Sequence, residues 1–125
     1  MLEEAIKCYL EELVGPLIGA GRVFPVFGTA PMPFVTYSVT AIEGGVVKES
    51  QVEVKVIADD YATCIDLRDL IASKMDMNNQ SCLISSANIV FRSELAGGGA
   101  IFNEAIQVWE LSQIFLTNWR VKNEQ

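Results

Sequence analysis

Apolar residues in the opening segment fall at Leu2, Ile6, Tyr9, Leu10 and Leu13, while Glu3, Glu4, Lys7, Glu11 and Glu12 take the other side. That spacing predicts an amphipathic helix, and the early carboxylates suit its positive end. Gly15-Pro16 is expected to stop it. Three glycines and three prolines between Gly19 and Pro33 predict a loop, with the short apolar piece Arg22-Val23-Phe24-Pro25 embedded in it. The period then changes to two. Val35, Tyr37, Val39 and Ala41 alternate with Thr36, Ser38 and Thr40 over Phe34–Ile42, and Val52, Val54, Val56 and Ala58 with Gln51, Glu53 and Lys55 over Ser50–Ala58. With Glu43-Gly44-Gly45 as the turn, these two runs predict a one-sided antiparallel hairpin.

Asp59-Asp60 is a cap signal for a second helix, whose stripe reads Tyr61, Cys64, Ile65, Leu67, Leu70, Ile71 and Met75. Asn78–Ser86 is polar and predicts a loop. Ala87–Leu95 predicts a third strand, and Gly97-Gly98-Gly99 a flexible tip. The last segment fits a helix tolerably, yet Leu111, Phe115, Trp119 and Val121 also alternate with Glu110, Ser112, Asn118 and Arg120. We read it as a bent or bulged strand from about Val108 to Val121. The predicted fold class is α+β: one domain over residues 1–125, with an antiparallel sheet of about four strands and two helices packed on one face. Ile6, Leu10, Leu13, Ile65 and Leu70 would meet Val52, Val54 and Val56.

Composition narrows the function. The 125 residues are 50% hydrophobic and 20% charged, which excludes intrinsic disorder and suits a globule with a radius of gyration of roughly 14 Å. Nine basic against sixteen acidic residues leave a net charge of −7. No basic cluster exists to neutralise phosphates, so neither sequence-specific nucleic-acid binding nor an anionic membrane surface is expected. The quietest stretch, Leu13–Gly21, is broken by Pro16 and three glycines, and Glu3 and Glu4 stand where a signal peptide needs cations. Neither a transmembrane segment nor a signal peptide is expected.

Candidate chemistry is sparse. The sequence has no histidine, which removes the commonest general base and metal ligand. Cys8, Cys64 and Cys82 are odd in number and show no CxxC, so they read as reduced thiols without a zinc site. Gly19-Ala20-Gly21 opens like a dinucleotide loop, but Phe24 replaces the third glycine and a helix precedes it. Gly97-Gly98-Gly99 lacks the lysine of a phosphate loop. Asp59, Asp60, Asp66 and Asp69 miss calcium-loop spacing and read as capping plus a solvated acidic face. The expectation is no enzyme, no catalytic residue, no metal and no cofactor. Trp109, Trp119, Phe24 and Phe34 are core or interface anchors. The candidate contact residues for self-assembly or a partner are Arg22, Phe24, Gly97, Gly98 and Gly99.

Taken in order, Arg22-Val23-Phe24-Pro25, Pro31-Met32-Pro33-Phe34-Val35-Thr36-Tyr37, Val52-Glu53-Val54-Lys55-Val56, Asp60-Tyr61-Ala62-Thr63 and Phe115-Leu116-Thr117-Asn118-Trp119 form a pattern. It resembles the tail-terminator (tail-completion) proteins of long-tailed bacteriophages and prophages, from Leu2 to Val121. The resemblance implies a structural protein that assembles into a ring, usually hexameric. That ring caps the tail tube, ends its polymerisation and meets the head connector, so the implied partners are further copies of the chain, the tail-tube protein and the connector protein. The implied location is the host cytoplasm during assembly and then the virion tail. Ser93–Glu104 has no fixed counterpart in the family. Two rival readings stand beside it: another head–tail joining or head-closure virion protein, and a small dimeric α+β ligand-binding domain using the Asp59-Asp60 region or the Gly19–Gly21 loop.

Overall fold

A computed structural model describes residues 2–19, 21–25, 32–45, 48–77, 84–105 and 107–121. Two helices, α1 (Leu2–Ile18) and α2 (Tyr61–Met75), accompany six strands: β1 (Val23–Pro25), β2 (Phe34–Glu43), β3 (Lys48–Ala58), β4 (Ile84–Ser86), β5 (Ile89–Asn103) and β6 (Val108–Val121). The sheet order is β1-β2-β3-β6-β5-β4. β1 runs parallel to β2, and every other pairing is antiparallel.

The fold class therefore corrects the expectation of about four antiparallel strands: the sheet is mixed, has six strands and is curled. The two additional strands are three residues long, too short to display a period, and lie where glycine, proline or polar residues signal loop. Residues 26–31 and 78–83 of the expected loops lie outside the described residues. The curl shows in what α1 touches: it packs on β1 and β2 at one margin of the sheet and on β4 at the other. Ser86 Oγ donates to the Ala5 carbonyl at 3.0 Å across that closure.

Other boundaries also moved. Gly15-Pro16 does not end α1, which runs on to Ile18 and stops at Gly19, whose N–H donates to the Gly15 carbonyl at 2.8 Å with φ 97°. Gly97, Gly98 and Gly99 are not a tip. They lie inside β5, and the β5–β6 connection comes later, around Glu104 and Gln107. The irregularity expected in the last strand falls instead in β5, between Leu95 and Gly97, opposite an unbroken β6.

The alternation expected for β2, β3 and β6 is the one observed. Val35, Val52, Val54, Val56, Leu111 and Phe115 are buried on the helix-covered face together with Ile6, Leu10, Cys64, Leu67, Ile71 and Met75. Leu13 and Ile65 pack at the margin of this core. A smaller cluster of Phe34, Ile57 and Val108, with Phe24 against it, covers part of the opposite face. Asp60 caps α2 as expected, its Oδ1 accepting from the Ala62 N–H at 3.2 Å and its Oδ2 from Thr63 Oγ1 at 2.9 Å.

Candidate interaction surface

Register shows how the candidate residues sit. Reading across the sheet, Phe24 pairs with Thr36, Thr36 with Lys55, Lys55 with Ser112, and Ser112 with Gly99. Phe24 and Gly99 thus occupy one row at its two margins. The structure does not bring Arg22 and Phe24 together with Gly97, Gly98 and Gly99; it separates them by the width of the sheet.

At the β1 margin, Arg22 Nη1 donates to the Pro33 carbonyl at 3.2 Å, strapping β1 to the start of β2. Phe24 meets Phe34 edge-on at 5.9 Å, so much of its ring serves the small cluster. Leu17 (63% exposed) and Met32 (37%) add apolar surface nearby.

The β5 margin is closed along its first half only. β4 pairs with Ile89–Phe91. Beyond it, the Met77 N–H donates to the Ser93 carbonyl at 2.9 Å and the Leu95 N–H to Asp76 Oδ1 at 3.1 Å. Ser93 Oγ donates to the Met75 carbonyl at 2.6 Å, tying the end of α2 to the strand. From Ala96 to Asn103, no strand among the described residues pairs with this margin.

Alongside the uncovered half runs a groove of about 670 Å³, lined by Arg68, Asp69 and Ala72 of α2, by Leu95 and Gly97–Ala100 of β5, and by Ser112 and Gln113 of β6. The glycines make it. Gly98 lies opposite Gln113, and a Cβ there would run into the Ser112 carbonyl oxygen, whereas Gly97 and Gly99 face open space. Gln113 is buried, and its Oε1 has no hydrogen-bond partner among the described residues. At the far end Phe102 and Tyr61 flank Trp109, with ring centroids 4.7 and 4.6 Å away. Ile101 stands 66% exposed beside them.

Gln113 escaped attention in the sequence, although it occupies an inward position between Leu111 and Phe115. A polar residue at a core position of an alternating strand was its signal. Tyr61 reads as part of the α2 stripe and Phe102 not as a surface residue; that both meet Trp109 follows from tertiary packing, which sequence does not display.

Little chemistry gathers elsewhere. Asp59, Asp60, Asp66 and Asp69 are exposed along α2 and do not converge; no group of three acidic, cysteine or histidine side chains suited to a metal occurs among the described residues. Cys8 is exposed and Cys64 buried, neither in a disulfide. Burial pushes the Cys64 thiol up to about 11, opposed by a backbone hydrogen bond at Ala58 and reinforced by Asp60 and Asp59. It is no nucleophile at neutral pH. Cys82 lies outside the described residues. No helix among them is long and apolar enough to cross a membrane.

No protein-family model matches the chain, and no curated protein matches its sequence. Its fold does have solved counterparts. A protein in the virion of a native gene transfer agent particle superposes with a TM-score of 0.59 at 13% identity, over 88% of this chain and 83% of that one. The two share a fold. A second solved structure superposes with a TM-score of 0.63 at 8% identity, covering 98% of this chain and 93% of the other.

Proposed function

We propose that this chain is a non-enzymatic structural protein of a phage-like virion, of the tail-terminator type. Copies of it would form a ring that caps the tail tube, ends tube growth and joins the tail to the head connector. The observation that carries the reading is the fold shared with a gene transfer agent virion component across most of both chains. The site agrees with it in kind. The surface offers an uncovered strand margin and apolar side chains, which suit protein contacts, and its groove is open and lined mainly by backbone and small residues. A net charge of −7 suits a collar through which DNA passes without sticking.

The test is reconstitution. Purified protein is added to polymerising tail-tube protein, and the products are imaged by negative-stain electron microscopy. Rings at tube ends and arrested elongation are expected. Tubes that grow past the protein unchanged and never carry it at their ends would refute the proposal.

A further inference from the structure

We infer that the uncovered half of β5 is an acceptor for the β1 margin of a second copy, so that the sheet continues from one subunit into the next. The inference rests on the ring reading and specifies how the ring closes.

The register carries it. Three rows cross the sheet without a break: Val23, Val35, Val56, Leu111, Ala100; then Phe24, Thr36, Lys55, Ser112, Gly99; then Pro25, Tyr37, Val54, Gln113, Gly98. β1 and the glycine stretch of β5 therefore stand at the same height on opposite margins. Strand directions through the sheet make β1 antiparallel to β5, so a β1 laid against the β5 of another copy forms an ordinary antiparallel pair. A head-to-tail contact that closes on itself needs two different surfaces on one subunit, and these margins supply them.

Backbone polarity agrees. The Ser93 carbonyl and the Leu95 N–H face away from β6, and alternation past the bulge turns the N–H and C=O of Gly98, Ala100 and Phe102 the same way. On β1, the Arg22 carbonyl accepts from the Val35 N–H, so Arg22 and Phe24 face β2 while Val23 and Pro25 face outward. Pro25 thus lacks an N–H only where no bond among the described residues needs one. The row on β5 is one that another polypeptide strand satisfies and a small ligand does not.

The charge on β1 itself suits this contact. Over Leu13–Ile42 the sequence carries a single charged residue, Arg22, in a chain with sixteen acids. The region around the acceptor holds Asp69, Glu94, Glu104 and Glu110 against Arg68 and Arg92. β1 itself brings no acid to that region: Val23, Phe24 and Pro25 are uncharged, and Arg22 before them carries a positive charge. Gly97, Gly98 and Gly99 bring no side chain of their own to the contact.

The test uses disulfide capture. In a Cys8→Ser background, protein carrying Val23→Cys is mixed with protein carrying Ala100→Cys, the two positions that share a row, under mild oxidation, and each is also oxidised alone. A cross-linked dimer is expected from the mixture at several-fold the yield of either single variant. In parallel, Ala100→Pro removes an outward N–H that makes no bond among the described residues. It should keep the wild-type circular dichroism spectrum and cooperative melt, yet lose ring formation on tail tubes by at least tenfold. If the mixture cross-links no better than the single variants while the wild type still forms rings, the inference falls and the ring reading stands. If Ala100→Cys cross-links chiefly to itself, the margin pairs with its own kind and the inference again falls. If the wild type does not assemble at any concentration and the mixed variants do not cross-link, the ring reading falls and takes the inference with it.

Discussion

Gln113→Met should stabilise the fold. Gln113 is 5% exposed and sits on the helix side of β6 between Leu111 and Phe115, facing Val54 on one neighbouring strand and Gly98 on the other. Its Oε1 is buried with no hydrogen-bond partner among the described residues. Leaving such an acceptor unsatisfied costs about 1–3 kcal/mol, and methionine has nearly the same length and volume without the amide. Methionine also adds apolar contact with Val54. A gain of about 1–2 kcal/mol follows, which for a domain of this size raises Tm by roughly 4–8 °C. Differential scanning calorimetry and urea titration would measure it, with an unchanged urea slope showing that the gain lies in the native state. Thr117→Val, at the next-but-one inward position, where Oγ1 has no partner among the described residues, should move in the same direction. A fall of several degrees in Tm for Gln113→Met would mean that the oxygen is bonded after all, and the argument from an unpaired amide would be wrong.

Three further outcomes concern the glycine run, the helix cap and the buried thiol. Gly98→Ala should destabilise by about 1–3 kcal/mol, because its Cβ meets the backbone of Ser112, whereas Gly97→Ala and Gly99→Ala enter open space and should shift stability by less than about 1 kcal/mol in chemical denaturation. Asp60→Ala removes the cap of α2 and should cost about 1 kcal/mol by the same measurement. The Cys64 thiol, raised by burial from 9.0 to about 11, stays protonated in the fold while the unfolded thiol ionises. Its contribution is complete below pH 9 and is lost as pH rises through 11, a fall of roughly 2–3 kcal/mol. Denaturation midpoints should therefore decline from pH 9 upward, with the buried Tyr37 adding to the decline at higher pH, and Cys64→Ala should flatten the pH 9–10 portion.

What the sequence disclosed, and what it withheld, divides along a physical line. The two helices and the long central strands were legible because each buries one face over many residues. Val52, Val54 and Val56 repeat the signal until it cannot be mistaken, and Asp60 announces the helix that follows. The margins were not legible. β1 and β4 are held by the neighbouring strands and by α1, so Val23–Pro25 and Ile84–Ser86 owe their extended form to tertiary contact and carry no period of their own. Gly97–Gly99 misled for a related reason. Glycine has weak strand propensity, yet here the run pairs residue by residue with Ile114, Gln113 and Ser112, and only a glycine at position 98 clears the Ser112 carbonyl.

That division bears on how the surface works. A margin built by context alone is short and easily protected, as β1 is by its length and by Pro25. The uncovered half of β5 is the opposite case: eight residues long, paired on one side and held in place by Phe102 against Trp109. An exposed edge of this length invites indiscriminate pairing unless something limits which strands reach it. The β1 margin provides one limit, since it is three residues long and its proline leaves carbonyls as the main outward groups. The acidic surface provides another, because a net charge of −7 makes copies repel one another. The two limits respond differently to salt: charge repulsion is screened, while the missing N–H of Pro25 is unaffected. Raising ionic strength should therefore increase the rate at which copies associate without changing which residues cross-link, and light scattering beside the disulfide assay separates the two. A salt-dependent change in the cross-linked pair would show that charge, not strand geometry, sets the register.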